Sequence, residues 1–169
     1  MTVTIFTVGH SRHTAEQFVA LLRAHAIEQL VDVRSQPRSK WVPHFDAAAL
    51  ALLLDARGVN YVSLGKQLGG RPEDRAYYRE DGTVDYARRA SAPDFADGIS
   101  QLVALAQCWR TAILCAEEDP SCCHRRLLVA PALVRSGVAV VHVRGDGRLE
   151  PEPDRAPVAT QLDLFGERR

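Results

Sequence analysis

The chain has 169 residues, 46% of them hydrophobic, and its 21 lysines and arginines balance 21 aspartates and glutamates. That is enough apolar material for one domain with a sizeable core. A balanced quarter of charged residues excludes both a disordered polyelectrolyte and a uniformly basic nucleic-acid coat. Of the basic residues 19 are arginine and two, Lys40 and Lys66, are lysine, a bias that follows from either genome composition or planar recognition of oxyanions.

No apolar run reaches the roughly 18 residues of a membrane span, and the N-terminal Met-Thr-Val-Thr-Ile-Phe carries no basic leader, so the expected location is the cytoplasm. Cys115, Cys122 and Cys123 fall within nine residues, with Cys108 the fourth. An adjacent cysteine pair is unlike a secreted disulfide framework, and reduced thiols are expected.

Val3 to Val8 alternates branched and aromatic residues up to Gly9, a strand pattern. Thr14 with Gln17 three residues on is a capping box, and Phe18, Leu21, Leu22 and Ile27 place one apolar face on the helix it opens. Leu30 to Val33 reads as a short buried strand carrying Asp32, followed by a polar loop from Arg34 to Lys40. Asp46 caps a second helix through Leu50, Leu53 and Leu54, ended by Gly58, and a third strand runs from Val59 to Val62.

Leu64 to Asp85 is rich in glycine and long enough for a binding loop. Asp94, after Pro93, is expected to cap a helix through Ile99, Leu102 and Leu105. Thr111 to Cys115 is a fourth strand, His124 to Ser136 a helix, and Val138 to Val143 a fifth strand. Strands alternating with helices predict a single α/β domain over residues 1–144, a Rossmann-like three-layer fold with a mainly parallel five-stranded sheet and helices on both faces. From Gly145 the composition turns to Gly, Pro, Asp, Glu and Arg, and residues 145–169 are expected to be a flexible, solvated tail.

Functional groups in an open parallel sheet collect beyond the carboxyl ends of the strands. The unusual clusters fall there: Gly9-His10-Ser11-Arg12-His13, Arg34-Ser35-Gln36-Pro37-Arg38-Ser39-Lys40, Leu64 to Arg71, Cys115 to Arg126, and His142-Val143-Arg144. In this order they resemble the bacterial and archaeal family named domain of unknown function 488, whose members carry GHS, VDVR with a following P-R-S, LGxxLGGRP and CxE-x-DP-x-x-CHR. The resemblance runs from about Val8 to His142. It implies the fold and the place of a site, and no activity. Cys122, just before the CHR cysteine Cys123, departs from the pattern.

Cys115, Glu117, Cys123 and His124 are candidate ligands for zinc or iron, since thiolate, imidazole and carboxylate on one loop can surround an ion, although their spacing fits no standard zinc motif. Cys123 is equally a candidate nucleophile beside His124 and Arg125. A phosphatase-like loop needs an arginine six residues after its cysteine, and position 121 is Ser. Asp32 inside its strand is either a structural ion-pair partner or a catalytic carboxylate, and His10, Asp32, Glu117, Cys123 and His124 form the candidate catalytic set. Ser11, Arg34, Arg38, Gly69, Gly70, Arg71 and Arg125 are candidate phosphate or anion binders. His13, His25 and His44 have no such context and are expected at the surface.

Near the end, Gln161, Leu162, Leu164 and Phe165 in the run Gln-Leu-Asp-Leu-Phe resemble the peptide by which bacterial polymerases and repair proteins dock on the DNA sliding clamp. The strand-end loops hold nine basic residues against three acidic ones, so the neutral total conceals a polarised molecule. These features point to an enzyme of DNA repair or nucleic-acid processing recruited by the clamp. A small-molecule enzyme using Cys123 or a bound metal, and a noncatalytic anion-binding adaptor, are the alternatives.

Overall fold

A computed structural model describes residues 2–153. The motif at 161–165 lies outside the described residues. β1 (Thr4–Gly9), β2 (Gln29–Asp32), β3 (Asn60–Ser63), β4 (Thr111–Cys115) and β5 (Ala139–Val143) pair in parallel, and β6 (Leu149–Pro151) runs antiparallel to β5. The order across the sheet is β3-β2-β4-β1-β5-β6.

Side-chain alternation along the strands makes two cores. Phe6, Val8, Leu30, Ala112 and Leu114 face α1 (Ala15–Ala24) and α2 (Ala47–Asp55), whose Phe18, Leu22, Leu50 and Leu54 are fully or almost fully buried. Ile5, Val31, Ile113 and Val140 face the other layer, α3 (Gly65–Leu68), α4 (Tyr86–Ala90), α5 (Pro93–Cys108) and α6 (Ala130–Arg135), through Leu68, Phe95, Leu102 and Leu133. The three-layer α/β fold is therefore as the alternation of elements predicts. No helix among the described residues is long and apolar enough to cross a membrane.

The capping box of α1 forms with both of its hydrogen bonds. Other ends differ from the sequence reading. Ala92, not Asp94, precedes α5; Pro93 takes the first helical position, where its missing N–H is not needed, and Asp94 turns back onto the Arg89 guanidinium at 2.6 Å. Asp46 stands before α2, yet its carboxylate accepts from Ser39 N at 2.8 Å and not from the helix. The helix expected from His124 opens as a π-helical turn, Arg125–Val129, that runs into α6. His13, His25 and His44 are half-buried, His44 against Phe45.

The sixth strand is the largest departure. Residues expected in a solvated tail form a hairpin on β5, held by Arg126 and Arg144 on Glu150 and by the buried Glu152. It has only three residues, Leu149, Glu150 and Pro151, with the proline on an edge strand, too short for a hydrophobic pattern to announce it.

The connection from β1 passes β4 on one face to reach β2, whereas that from β4 passes β1 on the other face to reach β5. β1 and β4 thus flank a switch point, where connections leave neighbouring strands toward opposite faces and open a crevice at the carboxyl ends.

Candidate active site

Gly9 and Cys115 are register partners at the ends of β1 and β4, and pairing continues past them through His10 N to Cys115 O at 3.0 Å and Ser11 N to Ala116 O at 2.9 Å. Gly9 permits this closeness: a Cβ there would fall 1.7 Å from Glu117 O. After Glu117 the chain turns back through a 3-10 turn, Pro120–Cys122, opened by the Asp119 carboxylate accepting from Ser121 N. The reversal brings Cys123 and His124 beside Cys115.

Four groups meet there. Cys115 Sγ donates to Glu117 Oε2 at 2.7 Å, and Cys123 Sγ lies 3.3 Å from the same oxygen. His124 Nε2 is 3.0 Å from Val33 O. A carbonyl only accepts, so the neutral ring carries its proton on Nε2 and presents the Nδ1 lone pair to Cys115 Sγ at 3.5 Å and Cys123 Sγ at 3.8 Å. Gly70 packs on this ring so tightly that a Cβ would fall 2.7 Å from it.

Protons are shared unequally. The neighbouring Cys115 side chain, aided by His124 and Arg125 and opposed by burial, draws the Cys123 thiol below its ordinary value, while the neighbouring Cys123 and burial push Cys115 well above it. Burial raises Glu117, but the bond from Cys115 and backbone hydrogen bonding outweigh it, and its carboxyl is held below the usual range.

Arg125, with no exposed surface, ties the arrangement together. It donates through Nε to Cys123 Sγ at 3.2 Å, through Nη2 to Glu117 O at 2.6 Å and through Nη1 to Thr7 Oγ1 at 3.2 Å. Thr7 and His142 Nδ1 are 2.7 Å apart, and His142 Nε2 meets Glu152 Oε2 at 2.7 Å. A buried polar chain therefore links the Glu117 loop to the last described turn of the chain.

Above the cluster is a cleft of about 380 Å³, floored by Cys115, Glu117 and His124 and rimmed by Arg38, Arg71 and Tyr86. Arg38 and Arg71 are exposed, and neither guanidinium has a hydrogen-bond or ion-pair partner among the described residues. The family model described as Domain of unknown function DUF488 matches residues 14–131. The chain belongs to this family. Searches of curated proteins and of solved structures return no match.

Of the candidate residues in this DUF488 chain, Arg34, Arg38, Gly70, Arg71, Cys115, Glu117 and His124 line the one cleft. Cys123 lies beneath them, 1% exposed, and Gly69 packs on Ser35. His10 and Ser11 line a separate groove of about 270 Å³ with Arg12 and Trp41; it shares Ala116 and Glu117 with the cleft. The His10 ring stacks on Phe45 at 4.5 Å, and burial lowers its pKa.

Asp32 is not in the cleft. Its carboxylate is enclosed, gripped by Arg34 Nε at 2.9 Å and Nη2 at 2.6 Å and by Tyr61 Oη at 2.7 Å. Burial and this carboxylate push the Tyr61 hydroxyl upward. Arg34 commits Nε and Nη2 to Asp32 and Phe45 O but still lines the cleft, whereas Arg125 has Nε and both Nη groups engaged in the contacts above. Sequence reasoning passed over Ser35, Cys122 and Tyr86 on the cleft wall and Thr7, His142 and Glu152 beneath it. The deviant Cys122 is exposed at the cleft, and its place beside the CHR cysteine was the available signal.

Proposed function

We propose that this DUF488 chain is a nucleic-acid-processing enzyme whose substrate strand lies across the carboxyl edge of the sheet. The observation that carries this is the pair of unpartnered guanidiniums, Arg38 and Arg71, over a floor of thiols, carboxylate and imidazole. Arginines at a rim hold phosphates, and reactive groups below them meet the bond beside the phosphate. A strand is favoured over an isolated small molecule by Trp41, 89% exposed on the adjoining groove with Arg12. An exposed aromatic beside cations is what a base stacks on.

In this arrangement Arg38 and Arg71 take the backbone, Trp41 takes a base, and Glu117, which borders both the cleft and the groove, acts as general base. The Gln161 to Phe165 segment would recruit the enzyme to the sliding clamp. Incubation with single-stranded and lesion-bearing oligonucleotides is expected to release a base or cut the strand, and Glu117→Gln is expected to abolish product while retaining binding. No binding at low salt and no product would refute the proposal. For the clamp, Phe165→Ala should lose capture in a pull-down, and undiminished capture would refute that part.

A further inference from the structure

We propose that Cys115, Cys123 and His124 form a three-ligand zinc site whose fourth coordination place opens into the cleft beside Glu117. The three donor atoms lie within 4.8 Å of one another and all three residues are buried. Zinc–sulfur bonds of about 2.3 Å and zinc–nitrogen bonds of about 2.0–2.1 Å, set at the tetrahedral angle, place sulfur and nitrogen about 3.6 Å apart. The observed separations from His124 Nδ1 are 3.5 and 3.8 Å. The donors already stand close to the positions an ion requires.

Support behind the ligands agrees. Val33 O fixes the histidine tautomer so that Nδ1 is the free nitrogen, and the Cys123 sulfur accepts from Arg125 N at 3.5 Å and Arg125 Nε at 3.2 Å, a donor set that stabilises a thiolate bound to metal. Two soft thiolates and an imidazole select zinc over magnesium or calcium. The spacing, Cys115 and then Cys123 with its neighbour His124, falls outside standard zinc motifs because the Pro120–Cys122 turn, rather than a short knuckle, returns the chain.

Glu117 decides what such an ion does. Its Oε2 lies 2.7 Å and 3.3 Å from the two sulfurs, and Glu117 lines the cleft. A water in the fourth place passes its proton to this carboxylate. The hydroxide left on zinc bonds to the electrophilic atom of the substrate, and the leaving group departs with the proton returned by Glu117. Two cysteines, a histidine and a non-ligating glutamate serve hydrolysis in the same way in zinc deaminases of nucleobases. The metal site stands independently of the nucleic-acid proposal; only this water-activation step rests on the cleft being catalytic.

Elemental analysis of the full-length protein, purified without metal-affinity resin, should find one zinc per chain. Cobalt substitution should give the intense visible bands of a tetrahedral site with thiolate ligands. Cys115→Ser, Cys123→Ser and His124→Ala should each lower zinc content at least tenfold, whereas Cys108→Ser and Cys122→Ser should keep it. Glu117→Gln should also retain zinc; its loss would overturn the open fourth place. Should the ligand variants fail to fold, the wild-type protein serves. A chelator should lower its melting temperature by several degrees, and zinc, but not magnesium, should restore it. A protein that takes up no zinc, or a Cys115–Cys123 disulfide in anaerobically purified material, would overturn the site. Arg71→Ala should leave zinc content unchanged, so failure of oligonucleotide binding is distinguishable from failure of the metal site.

Discussion

Among the arginines at the carboxyl end of the sheet, the four that bound the cleft and its floor divide into two kinds. Arg34 and Arg125 lie inside, 6% and 0% exposed, each bound to fixed partners. Arg38 and Arg71 stand on the rim, exposed and without partners among the described residues. A guanidinium taken from water must have its donors satisfied where it sits, so a buried arginine is already committed to the protein and only an exposed one can afford selectivity for a ligand. The inner pair builds the cleft and the outer pair stands at its rim.

The comparison is broken most forcefully from inside. Asp32→Asn leaves the Arg34 charge buried without its counter-charge and should destabilise the fold by about 3–5 kcal/mol, read from the denaturant midpoint at constant slope. Arg125→Met strands the Glu117 and Glu118 carbonyls, Thr7 and the Cys123 sulfur, and a loss of about 3 kcal/mol or more is expected. If either variant unfolds at the wild-type denaturant concentration, the inner arginines are not structural.

Glu152→Ala removes the acceptor of His142 Nε2 and a partner of Arg126, and should lower stability by about 1–3 kcal/mol. Acidity probes the same layer. His142 and His10 are both held below 6.5, chiefly by burial. The unfolded chain therefore takes up protons there that the fold refuses, and stability should fall as pH drops from 7 through 6.5 toward 5, by at most about 1.4 kcal/mol per unit for each histidine. A stability that rises over that window would contradict their burial. Smallest of all, Arg38→Ala and Arg71→Ala should move stability by no more than about 0.5 kcal/mol.

The division between the two kinds of arginine explains what the sequence could and could not convey. Strand ends were legible to within a residue, at Gly9, at Val33 where the structure ends β2 at Asp32, and at Cys115, because the apolar runs stop there, and the ends gather because parallel strands align them. The convergence of Cys115, Glu117, Cys123 and His124 arises within one loop, where the Pro120–Cys122 turn returns the chain to the end of β4. Commitment was not legible. Asp32 and Arg34 are two residues apart, a spacing equally compatible with an ion pair and with two groups facing a ligand. Arg125 meets Thr7 across 118 positions of chain, which no local pattern records. The hairpin ending at Glu152 was hidden for a related reason: it is held by ion pairs of Glu150 with Arg126, 24 positions back, and with Arg144 in its own turn, not by apolar alternation. The strand-end charge is correspondingly redistributed, since Arg126 and Arg144 are neutralised by Glu118, Glu150 and Glu152, and the cations that face solvent unpaired narrow to residues such as Arg38 and Arg71.

The most direct test is the salt dependence of binding to a fluorescent single-stranded oligonucleotide, compared between the wild-type protein and the Arg38→Ala and Arg71→Ala variants. Each lost phosphate contact should flatten the slope of log K against log salt by about 0.7, with the fold intact and zinc content unchanged. Slopes identical to the wild type in both variants, or affinity indifferent to salt, would contradict a phosphate-binding rim.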